Sequence, residues 1–186
     1  MISSLDIALL FGSYRQAPLG RRVVKCVEHT LTQRGHRPVV LDAAQAHVPF
    51  LQDTYATLQK NDAVPPMLPA MQQELARAQA FVLTSGEYNH LPCPGLLNLV
   101  NFFLEEYRGK PSALVTYSVG RFGGCRTEAA LRTLTGALHM PAVGPMLMLS
   151  HAHKTLDEDG HTIDETAGDP LKKQVDTLCE ALEKAV

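Results

Sequence analysis

The first apolar run of the chain, residues 5–11, is interrupted only by one acid, Asp6. Such a run is typical of a central parallel strand that helices cover on both faces. Apolar residues then recur at helical spacing through residues 19–31 and Gly35 follows, which indicates an amphipathic helix ended by a glycine. Residues 38–42 are predicted to form a second strand. This beginning of the chain therefore predicts a βαβ unit.

The same alternation continues to the end of the chain. We predict further strands at residues 80–84, 112–118 and 143–149, and helices at about 67–78, 95–107, 127–138 and 171–182. Five strands that alternate with helices indicate one α/β domain over residues 1–186, a three-layer sandwich around a parallel sheet. The simplest such sheet is flavodoxin-like, with strand order 2-1-3-4-5. Pro145 indicates that the fifth strand lies at or near an edge.

Three segments depart from simple alternation. Residues 43–69 have four prolines and little periodicity, which is typical of a lid, a binding loop or an interface arm. The predicted helix at 95–107 is apolar nearly all round, so we expect a second subunit to cover it. Residues 156–166 are predicted to form a turn or short hairpin around Asp159 and Gly160.

Composition excludes several classes of protein. The 186 residues carry a net charge of -2 with no basic stripe, which argues against a nucleic-acid-binding protein. No apolar run reaches the roughly 18 residues of a membrane-spanning helix, and we expect no signal peptide. The four cysteines are far apart in the sequence. We therefore expect reduced thiols and a cytoplasmic location.

The loops after strands one, three and four should meet at one edge of the sheet, where open α/β sheets bind ligands. After strand one, Gly12 permits a tight turn, Ser13 offers a hydroxyl, and Arg15 offers a fork of donors, which together suit a phosphate. The alternative is that Ser13 caps the helix and Arg15 is solvated. Without a GxGxxG fingerprint or a Walker lysine, a single phosphate is the better interpretation.

The other two loops are predicted to accept a ring. Residues 85–90 form a polar loop in which Gly86 permits close approach and Tyr88 offers an aromatic face. A subunit contact for Tyr88, a turn for Asn89 and a solvated or hydrogen-bonding role for Glu87 are the alternatives. The loop after strand four either admits the edge of a ring or is an ordinary turn; its candidates are Ser118, Gly120, Gly123 and Gly124. The spacing of His151 and His153 is metal-like, but we favour a surface turn.

Taken together, three motifs resemble those of the NADPH-dependent FMN reductases, a flavodoxin-like family that includes quinone, chromate and azo-compound reductases. They occur in the same order and spacing over about residues 5–149. They are Gly12-Ser13-Tyr14-Arg15, Gly86-Glu87-Tyr88-Asn89 with Pro94-Gly95-Leu96-Leu97-Asn98, and Ser118-Val119-Gly120-Arg121-Phe122-Gly123-Gly124.

The resemblance implies FMN as the cofactor and NAD(P)H as the co-substrate. Ser13 and Arg15, with the backbone as far as Gly20, would bind the FMN phosphate. Glu87, Tyr88 and Asn89 would meet the isoalloxazine ring, and Ser118, Gly120, Gly123 and Gly124 would lie along its other side. The family forms homodimers, often dimers of dimers, with the helix after the E-Y-N motif in the interface.

The chain departs from the family pattern in several places. Pro18-Leu19-Gly20-Arg21 stands where the family usually has a second serine and an asparagine, Gly86 replaces a proline, Leu97 a lysine and Asn101 an aspartate. We expect fewer or different phosphate contacts and a looser turn.

We therefore predict an NAD(P)H-dependent FMN reductase that passes a hydride through FMN to a flavin, a quinone or another small acceptor. No side chain is assigned as an acid or base, and Arg121 either meets the 2′-phosphate of NADPH or is solvated. One alternative is a flavodoxin-like electron carrier. The other is a dimeric interaction protein without redox turnover. The sequence leaves open the acceptor, NADH against NADPH, and dimer against tetramer.

Overall fold

Strands and helices alternate along the chain in the computed structural model, which describes residues 4–16, 19–163 and 165–186, with no side-chain description at 165–169. The strands are β1 (Asp6–Phe11), β2 (Arg37–Asp42), β3 (Ala80–Tyr88), β4 (Leu91–Pro92), β5 (Ser112–Tyr117) and β6 (Leu147–Leu149). The helices are α1 (Gly20–Gln33), α2 (Tyr55–Lys60), α3 (Leu68–Arg77), α4 (Pro94–Val100), α5 (Glu128–Ala137), α6 (Ala152–Thr155) and α7 (Glu165–Ala185).

The strands form one sheet of order β2-β1-β3-β5-β6, with β4 paired to β3 only. The five strands of this path pair in parallel, with register partners such as Leu9 with Val82 and Leu83 with Leu114. Without the short β4, this is the predicted flavodoxin-like order, which is confirmed. The edge position of the last strand is also confirmed, although that strand begins only after Pro145.

Helices cover both faces of the sheet and separate its core into two clusters. On one face, α1 and α7 pack against alternate residues of β1, β3 and β5, including Leu9 and Val82. On the other face, α3, α4 and α5 pack against the intervening residues, including Leu10 and Leu83. Because side chains alternate along a strand, an apolar run supplies both faces at once. The three-layer prediction is therefore confirmed.

The third strand is longer than predicted. Residues 85–88, expected as a loop, continue β3 up to Tyr88 and then turn through Asn89 and His90 into β4. Gly86 is paired with Tyr117 of β5, so the polar residues before the turn complete sheet hydrogen bonding. Pro92 is tolerated because β4 is a two-residue strand with a single neighbour. The loop prediction for 85–88 was therefore wrong.

The helix predicted at residues 95–107 is also corrected, because α4 ends at Val100. The chain then folds back in turns, and Tyr107 meets Phe81 edge to face with ring centroids 5.3 Å apart. Phe102, Phe103 and Tyr107 are all buried within the chain itself. A second subunit is therefore not required to cover these residues. The homodimer remains a prediction from the family resemblance.

The irregular stretch before α3 begins with a segment that we call the strap, residues 43–51. The Tyr14 hydroxyl donates to the carbonyls of Ala43 and Val48, at 3.0 and 2.7 Å. The amide of Asn98 on α4 donates to Pro49 at 2.8 Å and accepts from the Leu51 N–H at 2.8 Å. The strap is thus fixed against both the first loop and α4.

The hairpin predicted after β6 is confirmed over residues 156–162. Leu156 and Thr162 form an antiparallel bridge around Gly160, whose φ is +82°. Asp164 lies outside the described residues, and the prediction was wrong for residues 165–166, which belong to α7. None of the helices in the described part of the chain is long and apolar enough to cross a membrane.

Candidate functional site

The loops after β1 and β3 meet where the sequence predicted a site. The Ser13 hydroxyl lies 3.2 Å from the Tyr88 hydroxyl, and the Arg15 guanidinium carbon lies 4.6 Å from the centre of the Tyr88 ring. Ser13 is almost fully buried. Ser13 and Arg15 therefore both contact Tyr88, which confirms that these two loops converge.

Ser13 does not cap α1, so the alternative interpretation of this serine is wrong. The residue that caps α1 is Leu19, and within the described part of the chain no side chain caps the first turn. The first turn of this 14-residue helix also carries no acid. Its N–H groups and positive dipole end are therefore suited to an anion. Pro18, one of the expected departures, lies outside the described residues.

Tyr117 is a residue of the site that the sequence analysis missed. A Cβ on Gly20 would lie 2.2 Å from the Tyr117 hydroxyl, and one on Gly86 would lie 3.2 Å from the same ring. Tyr117 therefore fills the space between the start of α1 and the end of β3. Burial raises the pKa of Tyr117, so its hydroxyl remains protonated. It was missed because it ends an otherwise apolar strand, where a core role is the default expectation.

An ion pair connects the loop after β5 to the end of β3. Glu87 at the end of β3 accepts a hydrogen bond from Arg126 at 3.1 Å, and the Glu87 side chain is only 14% exposed. Glu87 is thus a link between the β3–β4 turn and the glycine loop. Asn89 is exposed at the tip of the turn with a φ of +51°, which matches its predicted alternative as a turn-former.

The predicted glycines have different surroundings. A Cβ on Gly12 would lie 2.0 Å from the backbone nitrogen of Leu96, so Gly12 permits contact between the first loop and α4. Gly123 and Gly124 have positive φ and pack on Met148 and Thr116. Of these four glycines, Gly120 has the most open surroundings, because a Cβ there would meet no atom closer than 4.0 Å. Its carbonyl accepts a hydrogen bond from the Ser118 hydroxyl.

A cavity of about 500 Å³ lies beside Tyr88. Its lining is largely apolar and aromatic and consists of Gly12, Tyr14, Arg15, Val48, Phe50, Tyr88, Pro94, Gly95 and Asn98. The sequence predicted a lid, a binding loop or an interface arm for residues 43–69, and Val48 and Phe50 of the strap lie in this lining. The individual lining residues were not predicted, because the stretch has no periodicity. Aromatic side chains around a cavity of this size are typical of a site for a planar organic ligand.

The two histidines near β6 lie at the turn that follows this strand. His151 has a φ of +48° and precedes the short α6, which carries His153. His151 is exposed in this turn, which agrees with the surface-turn interpretation of the motif.

Comparisons with known proteins agree with the geometry. The family model for NADPH-dependent FMN reductases matches residues 5–154. An NAD(P)H-dependent FMN reductase of Pseudomonas aeruginosa is 27% identical over 134 residues, which are 69% of this chain and 70% of that protein. A quinone reductase of Escherichia coli is 24% identical and covers 99% of this chain and 98% of its own length.

Solved structures support the same fold. FerB, a flavoenzyme NAD(P)H:(acceptor) oxidoreductase from Paracoccus denitrificans, superposes with a TM-score of 0.79. The alignment covers 97% of this chain and 98% of FerB, with 20% sequence identity. At this identity the likeness shows the fold alone.

Proposed function

The chain belongs to the NADPH-dependent FMN reductase family, and from this premise we propose that it delivers electrons from NAD(P)H to a planar aromatic acceptor, a quinone or a free flavin. Membership makes it a flavin-dependent NAD(P)H oxidoreductase with FMN as its cofactor. The acceptor class and the roles of individual residues are the proposal. The observation that carries it is the largely apolar cavity of about 500 Å³ beside Tyr88, at the edge of the sheet where Ser13 and Arg15 converge on this tyrosine.

The residues at this edge fit FMN. The phosphate requires donors and positive charge, and it finds them at the uncapped start of α1 and in the Arg15 guanidinium. The ring requires a flat apolar surface, which Tyr88 offers. Gly120 leaves open space on the glycine loop. The phosphate and the ring of the cofactor thus each have a matching group of residues.

We assign the phosphate to Ser13, Arg15 and the first N–H groups of α1. Arg15 brings the charge, while the Tyr88 ring holds its guanidinium by a cation–π contact. The buried Ser13 hydroxyl is positioned by its contact with the Tyr88 hydroxyl. Because Tyr88 contacts both groups, phosphate binding and ring binding are coupled through one side chain.

We assign the ring to Glu87, Tyr88 and Asn89 on one side and to Ser118 and Gly120 on the other. FMN supplies the two-electron chemistry between a nicotinamide and an acceptor, and the protein supplies binding and orientation. The Glu87–Arg126 ion pair fixes the distance between the two sides. No acid or base side chain is needed, and we name no catalytic residue.

The acceptor class follows from the cavity beside Tyr88. Tyr14, Val48 and Phe50 make its walls apolar, and the strap that bears Phe50 is held by Tyr14 and Asn98. The one charged residue of the lining, Arg15, is assigned to the FMN phosphate. The remaining walls favour a planar aromatic acceptor over a small oxyanion, because burial of a charged oxyanion among apolar side chains is costly.

Anaerobic stopped-flow absorption tests the proposal. We expect NADPH or NADH to bleach the bound flavin, and a soluble quinone or riboflavin to restore its colour rapidly. A flavin that neither nucleotide bleaches would contradict the reductase and favour an electron carrier. Fast reoxidation by chromate, together with slow reoxidation by quinone and riboflavin, would contradict the aromatic acceptor.

Substitution of Arg15 tests the phosphate assignment. Arg15→Ala is expected to raise the FMN dissociation constant roughly tenfold to a hundredfold, because a charge-assisted contact with the phosphate is lost. Arg15→Lys should recover part of the affinity. Titration of apoprotein with FMN, followed by the quenching of flavin fluorescence, gives the constants. Arg77→Ala is the control, since Arg77 pairs with Glu74 and Asp6 at the opposite edge of the sheet. Equal affinity in the wild type and Arg15→Ala would refute the assignment.

A further inference from the structure

Two glycines of the candidate site leave room for one tyrosine, Tyr117 at the end of β5. A Cβ on Gly20 would overlap the Tyr117 hydroxyl and the Phe11 ring, and a Cβ on Gly86 would lie 3.2 Å from the same hydroxyl. Neither glycine has a positive φ, so the backbone conformation does not require glycine at either position. The space that side chains would take there is filled by Tyr117 and, at Gly20, also by Phe11.

Both glycines belong to the departures from the family pattern. Gly20 lies in the segment where the family usually has a second serine and an asparagine, and Gly86 replaces a proline. The two positions are far apart in the sequence, yet they contact the same side chain. The departures are therefore related in the structure, because small residues on α1 and β3 admit a tyrosine from β5.

The Tyr117 hydroxyl lies at the start of α1, where the phosphate is assigned. Gly20 is the first residue of α1, and Tyr117 packs on the sheet face that α1 covers. Tyr117 is only 7% exposed, and this burial raises its pKa. The Ser13 hydroxyl and the Arg15 guanidinium act on this pKa in the opposite direction, because both lie near the Tyr117 oxygen. A protonated hydroxyl thus lies among the groups that are assigned to the phosphate.

We propose that Tyr117 donates a hydrogen bond to the phosphate of FMN, in place of the serine and asparagine that the first loop lacks. An ionised phosphate accepts hydrogen bonds strongly, and a protonated phenol is a suitable donor. Tyr117 is a binding residue in this assignment and takes no part in electron transfer. The inference depends on the proposed function, since it adds a ligand to the phosphate site assigned there.

A purely apolar role is the alternative for Tyr117. Its ring lies in the same core cluster as Phe11 and Leu149. Such a role requires the ring but not the hydroxyl. Tyr117→Phe separates the two roles, because it keeps the ring and removes only the oxygen.

The experiment compares two flavins that differ only in the phosphate. Apoprotein of the full chain is titrated with FMN and with riboflavin, and the quenching of flavin fluorescence gives both dissociation constants. We expect Tyr117→Phe to raise the FMN constant about tenfold and to leave the riboflavin constant unchanged. An equal loss of affinity for the two flavins would assign Tyr117 to packing and overturn the inference, as would an unchanged FMN constant.

Tyr107→Phe is the matched control. Tyr107 is also buried, and its hydroxyl has no hydrogen-bond partner among the described residues. It packs against Phe81 near the amino end of β3, away from the candidate site. Both dissociation constants should therefore keep their wild-type values in Tyr107→Phe.

Gly86→Ala provides a second readout. The new Cβ would lie 3.2 Å from the Tyr117 hydroxyl, so the tyrosine must shift by a few tenths of an ångström. We expect the FMN constant to rise about threefold in the wild type and to stay unchanged in Tyr117→Phe, where the shift displaces no donor. Equal effects in the two backgrounds, including no effect in either, would contradict the inference. Failure of the proposed function has a different sign, namely that neither NADH nor NADPH bleaches the bound flavin.

Discussion

Glu183→Ala is expected to lower the free energy of unfolding by about 3–5 kcal/mol, because it removes one partner of a buried ion pair. The Glu183 side chain is only 5% exposed. Its two oxygens accept hydrogen bonds from Arg34, from Nε at 2.8 Å and from Nη2 at 2.9 Å. Loss of the carboxylate leaves the partly buried Arg34 with Asp176 as its remaining acidic partner.

His36 adds to the same cluster. Its Nδ1 accepts the Leu5 N–H at 3.3 Å, so its Nε2 carries the proton and donates to Glu183 at 2.9 Å. The cluster thereby connects α7, the end of α1 and the residues that precede β1 and β2. These connections lie at the amino edge of the sheet, opposite the candidate site. We therefore expect Glu183→Ala to reduce stability while flavin affinity in the folded protein is retained.

The same carboxylate makes stability depend on pH. The Arg34 guanidinium that donates to Glu183 holds the pKa of this carboxyl below its ordinary value. A lowered pKa in the folded state contributes stability that is complete above the ordinary value of about 4.3 and is lost as pH falls further, through the folded pKa. Glu183→Gln, which keeps an acceptor but cannot ionise, should reduce this loss of stability in acid.

Urea unfolding at neutral and acid pH measures both effects. Glu180→Ala is the matched control, because Glu180 lies on the same helix but is half exposed, and among the described side chains its one ion-pair partner is Lys184 at 3.7 Å. Its expected cost is below about 0.5 kcal/mol. Equal unfolding midpoints for Glu183→Ala and Glu180→Ala would show that the buried cluster contributes little.

The sheet was predictable because its signal is local. Each parallel strand is an apolar run bounded by turn residues, and the loops at the carboxyl ends follow from the alternation of strands and helices. The errors arose where a tertiary contact overrides local pattern. Residues 85–88 are polar enough for a loop, yet pairing of Gly86 with Tyr117 continues the strand. Residues 101–107 have helical spacing, yet Tyr107 packs against Phe81 in a turn.

The candidate site was predictable in part for the same reason. Ser13, Arg15 and Tyr88 follow strand ends, where topology brings loops together. Tyr117 and Phe50 were not identified, because one ends an apolar strand and the other lies in the strap. Their role depends on contacts from distant elements, which no local spacing records.

The role of Gly12 also depends on a contact with a distant element, the start of α4. Substitution of Gly12 is therefore expected to have a large effect on both stability and cofactor binding. Gly12→Ala is expected to destabilise the protein by about 1–3 kcal/mol or more and to abolish FMN binding. The new Cβ would lie 2.0 Å from the Leu96 nitrogen and 2.2 Å from the Gly95 carbonyl carbon. Both neighbours are backbone atoms at the start of α4. They cannot rotate away, so the first loop and α4 must separate.

Separation of these elements affects binding directly. Ser13 follows Gly12, and its hydroxyl lies 3.2 Å from Tyr88 only while the loop keeps its place. Gly95→Ala should have a similar effect, since its Cβ would lie 2.1 Å from the Gly12 carbonyl oxygen. Urea unfolding and the flavin content of the purified protein measure the two consequences.

Gly136→Ala separates this close contact from the general effect of a glycine substitution. Gly136 lies within α5, and a Cβ there meets no atom within 4 Å. Alanine should therefore stabilise the protein by about 0.4–1 kcal/mol, since it restricts the unfolded chain and favours the helix. Opposite signs of the stability change, together with loss of flavin from Gly12→Ala but not from Gly136→Ala, would support the conclusion that the first loop and α4 must touch for the cofactor to bind. Retention of full flavin content in Gly12→Ala would show instead that the loop can bind FMN away from α4.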